Sequence, residues 1–136
     1  MKKLTFLLLT AFVFLLSSCT STKALEGKWN TVALIIDGEP QDIIDSNISF
    51  GYDDKNFMAK GLAGVNLYNA DVSIKGNTIE TTNMINTGFV GIPANMAYED
   101  LFFQAFINST TYEIIDDTLI LYNPEQKTEL QLKKEY

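Results

Sequence analysis

The sequence predicts a mainly β domain of the α+β class, in which an antiparallel sheet curls into a small barrel and one helix packs against it. Short segments of alternating hydrophobicity recur about every ten residues between turn residues, which is typical of sandwiches and barrels. One segment near the C-terminal third has helical periodicity instead. A closed sheet is favoured over a flat one, because a flat sheet would leave its edges uncovered.

The first 18 residues have the order of a secretory signal peptide. Lys2 and Lys3 precede an apolar segment from Leu4 to Leu16, which is short for a membrane span. The segment ends in Leu16-Ser17-Ser18-Cys19, which resembles the bacterial lipobox. The alternatives are an ordinary signal peptide with a chance cysteine and an uncleaved hydrophobic helix.

The lipobox resemblance implies that residues 1–18 are removed and that acylated Cys19 anchors the protein in a membrane. Thr20 follows the cysteine, and the absence of Asp there favours the outer membrane of the bacterial envelope over the inner one. Residues 19–25 are short and polar and predict a lipidated tether. Residues 26–136 then form the domain, which the length predicts to be single and which we expect to be monomeric.

The strands are predicted in chain order from alternation and from turn residues. The first strand contains Val32, Leu34 and Ile36 and ends at the turn Asp37-Gly38. The later segments are Ile48–Phe50 with Phe57–Ala59 as a hairpin, Leu67–Ile74, Thr78–Met84, Thr111–Ile115, Thr118–Tyr122 and Thr128–Lys133.

The helix is predicted after the glycine- and proline-rich segment at residues 88–93. Ala97, Leu101 and Ala105 recur at helical spacing, with Tyr98, Phe102 and Phe106 beside them. Asn95 is the predicted N-cap, because an asparagine side chain can accept a hydrogen bond from the first turn.

Composition excludes several classes of function. The chain has no histidine and no arginine, and Cys19 is its only cysteine, so a Ser-His-Asp or Cys-His site is impossible within it. The net charge of −7 disfavours nucleic acid and anionic lipid as partners. We expect no catalytic residues, no metal and no cofactor.

The mature chain resembles the META domain family, which includes the heat-shock lipoprotein HslJ. The resemblance rests on the order of Gly27-x-Trp29, Gly61-x-x-Gly64-x-Asn66-x-Tyr68, Thr87-x-Phe89-Val90, Glu99-x-x-Phe102, Tyr112-x-Ile114 and Leu119-x-Leu121. It implies a small lipocalin-like or cracked β-barrel in the bacterial envelope, associated with stress tolerance, and it supplies no catalytic site. The two positions where the family usually has cysteine align to Val65 and Gly91, so no thiol role transfers to this chain.

The segment GLAGVNLYNA, residues 61–70, carries the family-signature turn. It has neither the Gly-Lys-Ser/Thr of a phosphate-binding loop nor a helix after it. Gly61, Gly64, Asn66 and Tyr68 are therefore interpreted as structural, with a glycine bend whose backbone is held by the Asn66 amide. A ligand-facing turn is the alternative.

The acidic residues are interpreted as solvated. Asp53-Asp54 and Asp116-Asp117 lie in predicted turns, where adjacent side chains face different ways. Glu99 lies within the predicted helix beside apolar neighbours. We expect it to cap a helix or to pair with a lysine and not to act in catalysis, because the chain offers no catalytic partner.

The candidate binding surface is apolar and consists of Phe89, Val90, Ile92, Phe102, Phe103 and Phe106. A barrel plug is one interpretation, because small barrels are filled by their own side chains. The other is a groove that binds an acyl chain or a segment of another envelope protein, because consecutive Phe102 and Phe103 cannot share one helical face. The sequence thus favours a non-enzymatic, stress-related interaction module, with a carrier or sensor of small apolar ligands as the alternative.

Overall fold

The structure is a computed structural model that describes residues 22–136. The predicted signal peptide, residues 1–18, and Cys19 lie outside the described residues. The described chain begins with a short 3-10 helix, Thr22–Ala24, and Leu25 is fully buried. The fold therefore starts before residue 26, the predicted start of the domain, because Leu25 joins the core and its carbonyl accepts a 2.8 Å hydrogen bond from the Trp29 indole.

The elements follow one another as short strands with one α-helix among the described residues. The strands are β1 (Gly27–Ile36), β2 (Glu39–Pro40), β3 (Asn47–Asp53), β4 (Asn56–Leu62), β5 (Leu67–Lys75), β6 (Thr78–Asn86), β7 (Thr111–Ile115), β8 (Thr118–Asn123) and β9 (Thr128–Lys134). The helix α1 (Pro93–Asn108) lies between β6 and β7. The prediction of a mainly β fold with one helix in the C-terminal half is confirmed.

The strands form one antiparallel sheet that closes into a ring. Sequential neighbours pair from β3 to β9, and β1 pairs with β3 on one side and β9 on the other. The closure is uneven, since β6 and β7 share a single residue pair, Thr78 with Thr111. The ring is therefore a cracked barrel and not a regular one, and α1 packs against β8, β6, β9 and β1.

Alternation along the strands decides which side chains fill the ring. Leu119 and Leu121 of β8, and Leu130 and Leu132 of β9, are fully buried, while the residues between them are more exposed. This period of two is the pattern of a sheet with one face on a core. The turn Asp37-Gly38 has φ of 52° and 78°, the left-handed pair that favours tight hairpins.

Gly61 is required by close packing within the sheet. It lies inside β4 and not in a turn, and a Cβ atom there would come within 2.1 Å of the Asn47 carbonyl oxygen. The first glycine of the signature therefore allows two backbones to approach, while the bend itself begins at Gly64.

Helix α1 fills the inside of the ring. It begins at Pro93, with Ile92 at the N-cap and no side-chain cap, so the Asn95 N-cap prediction is wrong. Proline suits the first helical position because its fixed φ matches the helix and its missing N–H needs no partner there. Phe102 and Phe106 are fully buried, and the Phe106 ring lies 6.0 Å from that of Tyr68 and 6.4 Å from that of Phe50.

Candidate functional site

The bend between β4 and β5 is where the signature residues meet the helix. Gly64 has φ of 100°, a conformation that residues with a side chain rarely adopt, and a Cβ there would lie 3.2 Å from the Tyr98 ring. The backbone N–H groups of Val65 and Asn66 point toward α1 and donate to one carboxylate oxygen of Glu99, at 3.1 and 2.7 Å. A side chain of the helix therefore accepts hydrogen bonds from two backbone N–H groups of the bend.

The side-chain amide of Asn66 donates two hydrogen bonds and accepts two. Its Nδ2 donates to Glu99 Oε1 at 2.6 Å and to the Phe89 carbonyl at 3.1 Å. Its Oδ1 accepts from the Thr87 hydroxyl at 2.7 Å and from the Phe89 N–H at 2.6 Å. Because an amide has two donor hydrogens and two acceptor lone pairs, no hydrogen-bonding capacity remains for a ligand. Asn66 therefore ties the bend, the helix and the 88–92 loop together.

Glu99 is a structural carboxylate. It is buried, and three donors satisfy it in place of water. No lysine lies within 4 Å of it in the described part of the chain, so of the two roles expected for Glu99, pairing with a lysine is not seen. The Asn66–Glu99 pair, which we call the node, is a buried cross-link between the bend and the helix.

Two buried tyrosines flank the node. The Tyr68 hydroxyl donates to the Asn47 carbonyl at 2.8 Å, and the Tyr98 hydroxyl shares a 2.5 Å hydrogen bond with that of Ser46. Burial raises the pKa of Tyr68 well above its ordinary value of 10.0, and the nearby Tyr98 raises it further. Burial also raises the pKa of Tyr98, against hydrogen bonds that lower it. Both phenols therefore stay neutral and act as fixed hydrogen-bonding groups near neutral pH.

The loop before α1 presents apolar side chains to solvent although its backbone is held in place. Phe89, Val90 and Ile92 are 68%, 90% and 63% exposed. Both backbone groups of Phe89 bond to Asn66, and the Gly91 N–H donates to the Met96 sulfur at 3.3 Å. The exposure is thus a property of an ordered loop.

Val65 and Gly91 face each other between the bend and this loop. A Cβ atom built on Gly91 would lie 2.7 Å from one methyl carbon of Val65 and 3.6 Å from its Cβ. The valine therefore leaves no room for a side chain at residue 91. These are the two positions that the sequence analysis aligned to the cysteines of the resembled family.

The predicted binding surface separates into two groups. Phe102 and Phe106 are core residues, and Phe103 is half-buried with its ring 5.4 Å from that of Tyr68. Phe102 and Phe106 thus agree with the plug interpretation, and Phe103 packs against the β5 wall of the ring. Phe89, Val90 and Ile92 remain exposed. Leu67 and Ile85 are also exposed and line a hollow of about 210 Å³ beside the start of this loop, which sequence reasoning missed.

The acidic turns show no metal-binding geometry. Asp53 lies 3.5 Å from Lys60 across the β3–β4 hairpin, and Asp116 occupies a left-handed turn position. Within residues 22–136, no cluster of three or more acidic, histidine or cysteine side chains is placed to hold a metal ion. None of the helices in that range is long and apolar enough to cross a membrane.

Comparison with known proteins identifies the family. The META domain model matches residues 22–136. The chain belongs to the META domain family. This confirms the resemblance drawn from the spaced glycine, asparagine and aromatic residues. No curated protein matches the sequence.

Solved structures share the fold of this META domain. The NMR structure of a protein from Burkholderia xenovorans has a TM-score of 0.71 and 12% identity, and covers 85% of this chain and 87% of its own. The crystal structure of a DUF4847 family protein from Bacteroides vulgatus ATCC 8482 has a TM-score of 0.61 and 19% identity, and covers 82% and 96%. At such identities the likeness concerns the fold alone.

Proposed function

We propose that this protein is a lipid-anchored bacterial envelope protein whose META domain is a non-enzymatic, stress-related interaction module. Its binding surface is the apolar rim, defined as Leu67, Ile85, Phe89, Val90 and Ile92. The observation that carries the proposal is the strong exposure of these side chains on a backbone that the node holds fixed. Ordered, exposed apolar patches are typical of protein interaction sites.

The placement of the rim favours a protein partner over the membrane that would hold the anchor. Thr22 bonds to the Tyr52 hydroxyl at 2.8 Å, close to the β3–β4 turn. The rim adjoins the opposite end of β4, about 20 Å away for a strand of this length. Acylation of Cys19, three residues before Thr22, would hold the Thr22 end of the domain near the membrane, and this placement supports a rim at the far end. The acidic charge of the chain also disfavours contact with anionic lipid.

The filled ring supports this function over the alternative, a carrier or sensor of acyl chains. A lipocalin-like carrier needs a lumen for its ligand. Here Trp29, Phe102 and Phe106 occupy the centre with at most 1% exposure. A fluorescent fatty acid should therefore show no saturable binding to the protein, and saturable binding would favour the carrier.

Site-specific crosslinking in intact cells tests the rim directly. With p-benzoylphenylalanine at Val90 we expect one discrete adduct, because that side chain is the most exposed of the rim. The same probe at Lys55, in the β3–β4 turn at the other end of the domain, is the matched control. A Phe89→Ser/Ile92→Ser variant should lose the adduct at an unchanged melting temperature. The same adduct from both probe positions, or one that survives the variant, would contradict the proposal.

Anchoring is tested separately. Cys19→Ala should leave the unprocessed precursor and abolish labelling by radioactive palmitate, because no other cysteine is present. Cys19→Ser serves as the closest isosteric control and should behave in the same way. Labelling that persists in both variants would refute the lipid anchor without bearing on the rim.

A further inference from the structure

A second candidate site lies on the outer face of the sheet, away from the apolar rim. A cleft of about 440 Å³ opens where β1, β9, β8 and β7 run side by side. Pairing places Ile35, Glu129 and Tyr122 in one row across three strands, and Ile120 opposite Glu113 in the next row. The cleft is thus built on regular sheet positions.

Two turns form the walls of the cleft. The Gly38 N–H of the β1–β2 hairpin donates to the Lys127 carbonyl of the β8–β9 turn at 3.1 Å, which joins the two turns. Pro124 belongs to the same β8–β9 turn and also lines the cleft. The volume falls in the range of small-molecule sites, and hydrogen-bonded walls favour a preformed site.

The floor of the cleft is apolar. Ile35, Ile120 and Tyr122 are half-buried although they face outward from the ring. Outward positions of a closed sheet are usually polar, as Gln131 and Lys133 are in β9. An aryl or alkyl group of a ligand would cover this floor and remove apolar area from water.

The charged residues that line the cleft favour a ligand with a positive charge. Glu113 and Glu129 carry carboxylates on either side of β8, about 12 Å apart, because two strand spacings separate their strands and the two residues lie in neighbouring rows. No lysine of the described chain lies within 4 Å of either carboxylate, and Glu129 accepts only a 3.1 Å hydrogen bond from Gln131. Lys127 is the single basic residue of the lining, and the chain carries −7 overall. An ammonium group is therefore favoured.

We propose that this cleft binds small amphipathic organic cations, with the apolar group on Ile120 and Tyr122 and the ammonium donating to Glu129. Glu113 strengthens binding through longer-range attraction, and Lys127 weakens it. The cleft is separate from the apolar rim, so binding of a ligand in it does not depend on the function proposed for the rim.

Three probes of similar shape test the proposal. The mature protein as isolated from the cell, in phosphatidylcholine nanodiscs, is titrated with phenethylamine, 2-phenylethanol and 3-phenylpropionate by calorimetry, with empty nanodiscs subtracted. We expect saturable binding of the amine and about tenfold weaker binding of the alcohol, the usual effect of losing a charge-assisted contact. Equal binding of amine and alcohol, tighter binding of the carboxylate, or no saturable binding of the amine would overturn the proposal.

Variants locate the ammonium contact. Glu129→Gln should weaken phenethylamine binding about tenfold, and Glu113→Gln only about twofold, because charge attraction falls with distance. Glu80→Gln, an exposed carboxylate of β6, is the matched control and should leave the affinity unchanged. Tyr122→Ala should weaken the amine and the alcohol alike. An amine affinity that is the same in Glu129→Gln and in the unaltered protein would refute the assignment.

Discussion

The double substitution Val65→Cys and Gly91→Cys should create a disulfide that stabilises the domain. The Cβ–Cβ separation of 3.6 Å lies within the range that disulfides span. Gly91 does not have a positive φ, so its backbone accepts a side chain. The Val65 methyl carbons, which would lie 2.7 and 3.1 Å from the new Cβ, are removed by the first substitution. The double change therefore fits where Gly91→Cys alone does not.

The expected gain follows from the loop that the bond closes. Residues 65–91 form a loop of about 27 residues, for which the chain-entropy model gives about 3.5 kcal/mol of unfolding free energy. For a domain of this size that corresponds to a melting temperature higher by about 10–15 °C. Thermal unfolding followed by circular dichroism, with and without reductant, measures the difference. A Cys19→Ser background leaves the two engineered thiols as the only ones.

Two results would refute this reasoning. Free thiols that persist in the oxidised double variant would mean that the residues do not face each other. An oxidised form that melts no higher than its reduced form would mean that the bond strains the fold. Gly91→Cys alone is the informative control, and we expect it to unfold at a lower temperature than the unaltered protein because its side chain meets the Val65 methyl groups.

Three further changes probe the node and the core. Glu99→Gln places an amide donor against the Asn66 amide donor, so urea unfolding should show a free energy of unfolding lower by about 2–3 kcal/mol. An unchanged urea midpoint would mean that the node does not stabilise the domain. Gly61→Ala should cost about 3 kcal/mol because its methyl group meets a backbone carbonyl, while Gly51→Ala, in open space on the adjacent strand, should cost little. Because the pKa of Tyr68 is raised in the folded state only, the unfolded chain loses that proton first, so the free energy of unfolding should fall as pH rises above about 10. Tyr68→Phe should reduce this fall, and an equal fall in the variant would contradict the assignment.

The fold was predictable because its signals are local. Alternation at Leu130 and Leu132, together with turn pairs such as Asp37-Gly38, defines strands and hairpins without knowledge of the rest of the chain. The start of the helix was missed because Asn95 is a good cap by composition. The helix instead begins at Pro93, whose ring fixes a helical φ, so the N-cap lies at Ile92, three residues earlier, without a side-chain cap.

The node was not predictable because its partners are far apart in sequence. Asn66 and Glu99 are separated by 33 residues, and nothing in either segment indicates which bend meets which helix. A polar residue within an apolar helical stripe was the available signal, since a buried carboxylate requires donors. The role of Gly61 was missed for the same reason, because its contact is to Asn47 on another strand.

The ring closes through the pairing of the first long strand with the last, so the fold cannot be completed before β9 has been synthesised. Strand β1 lies along β9, and the Glu135 N–H donates to the Lys28 carbonyl. Contacts between such distant segments form late and slow folding. A chain that emerges N-terminus first must therefore keep Trp29 and Leu34 exposed until residue 134 has emerged. The seven residues of β9 are accordingly the wall that closes the ring, and their loss would leave its core open. During synthesis, the apolar side chains of β1 stay exposed until this strand has emerged.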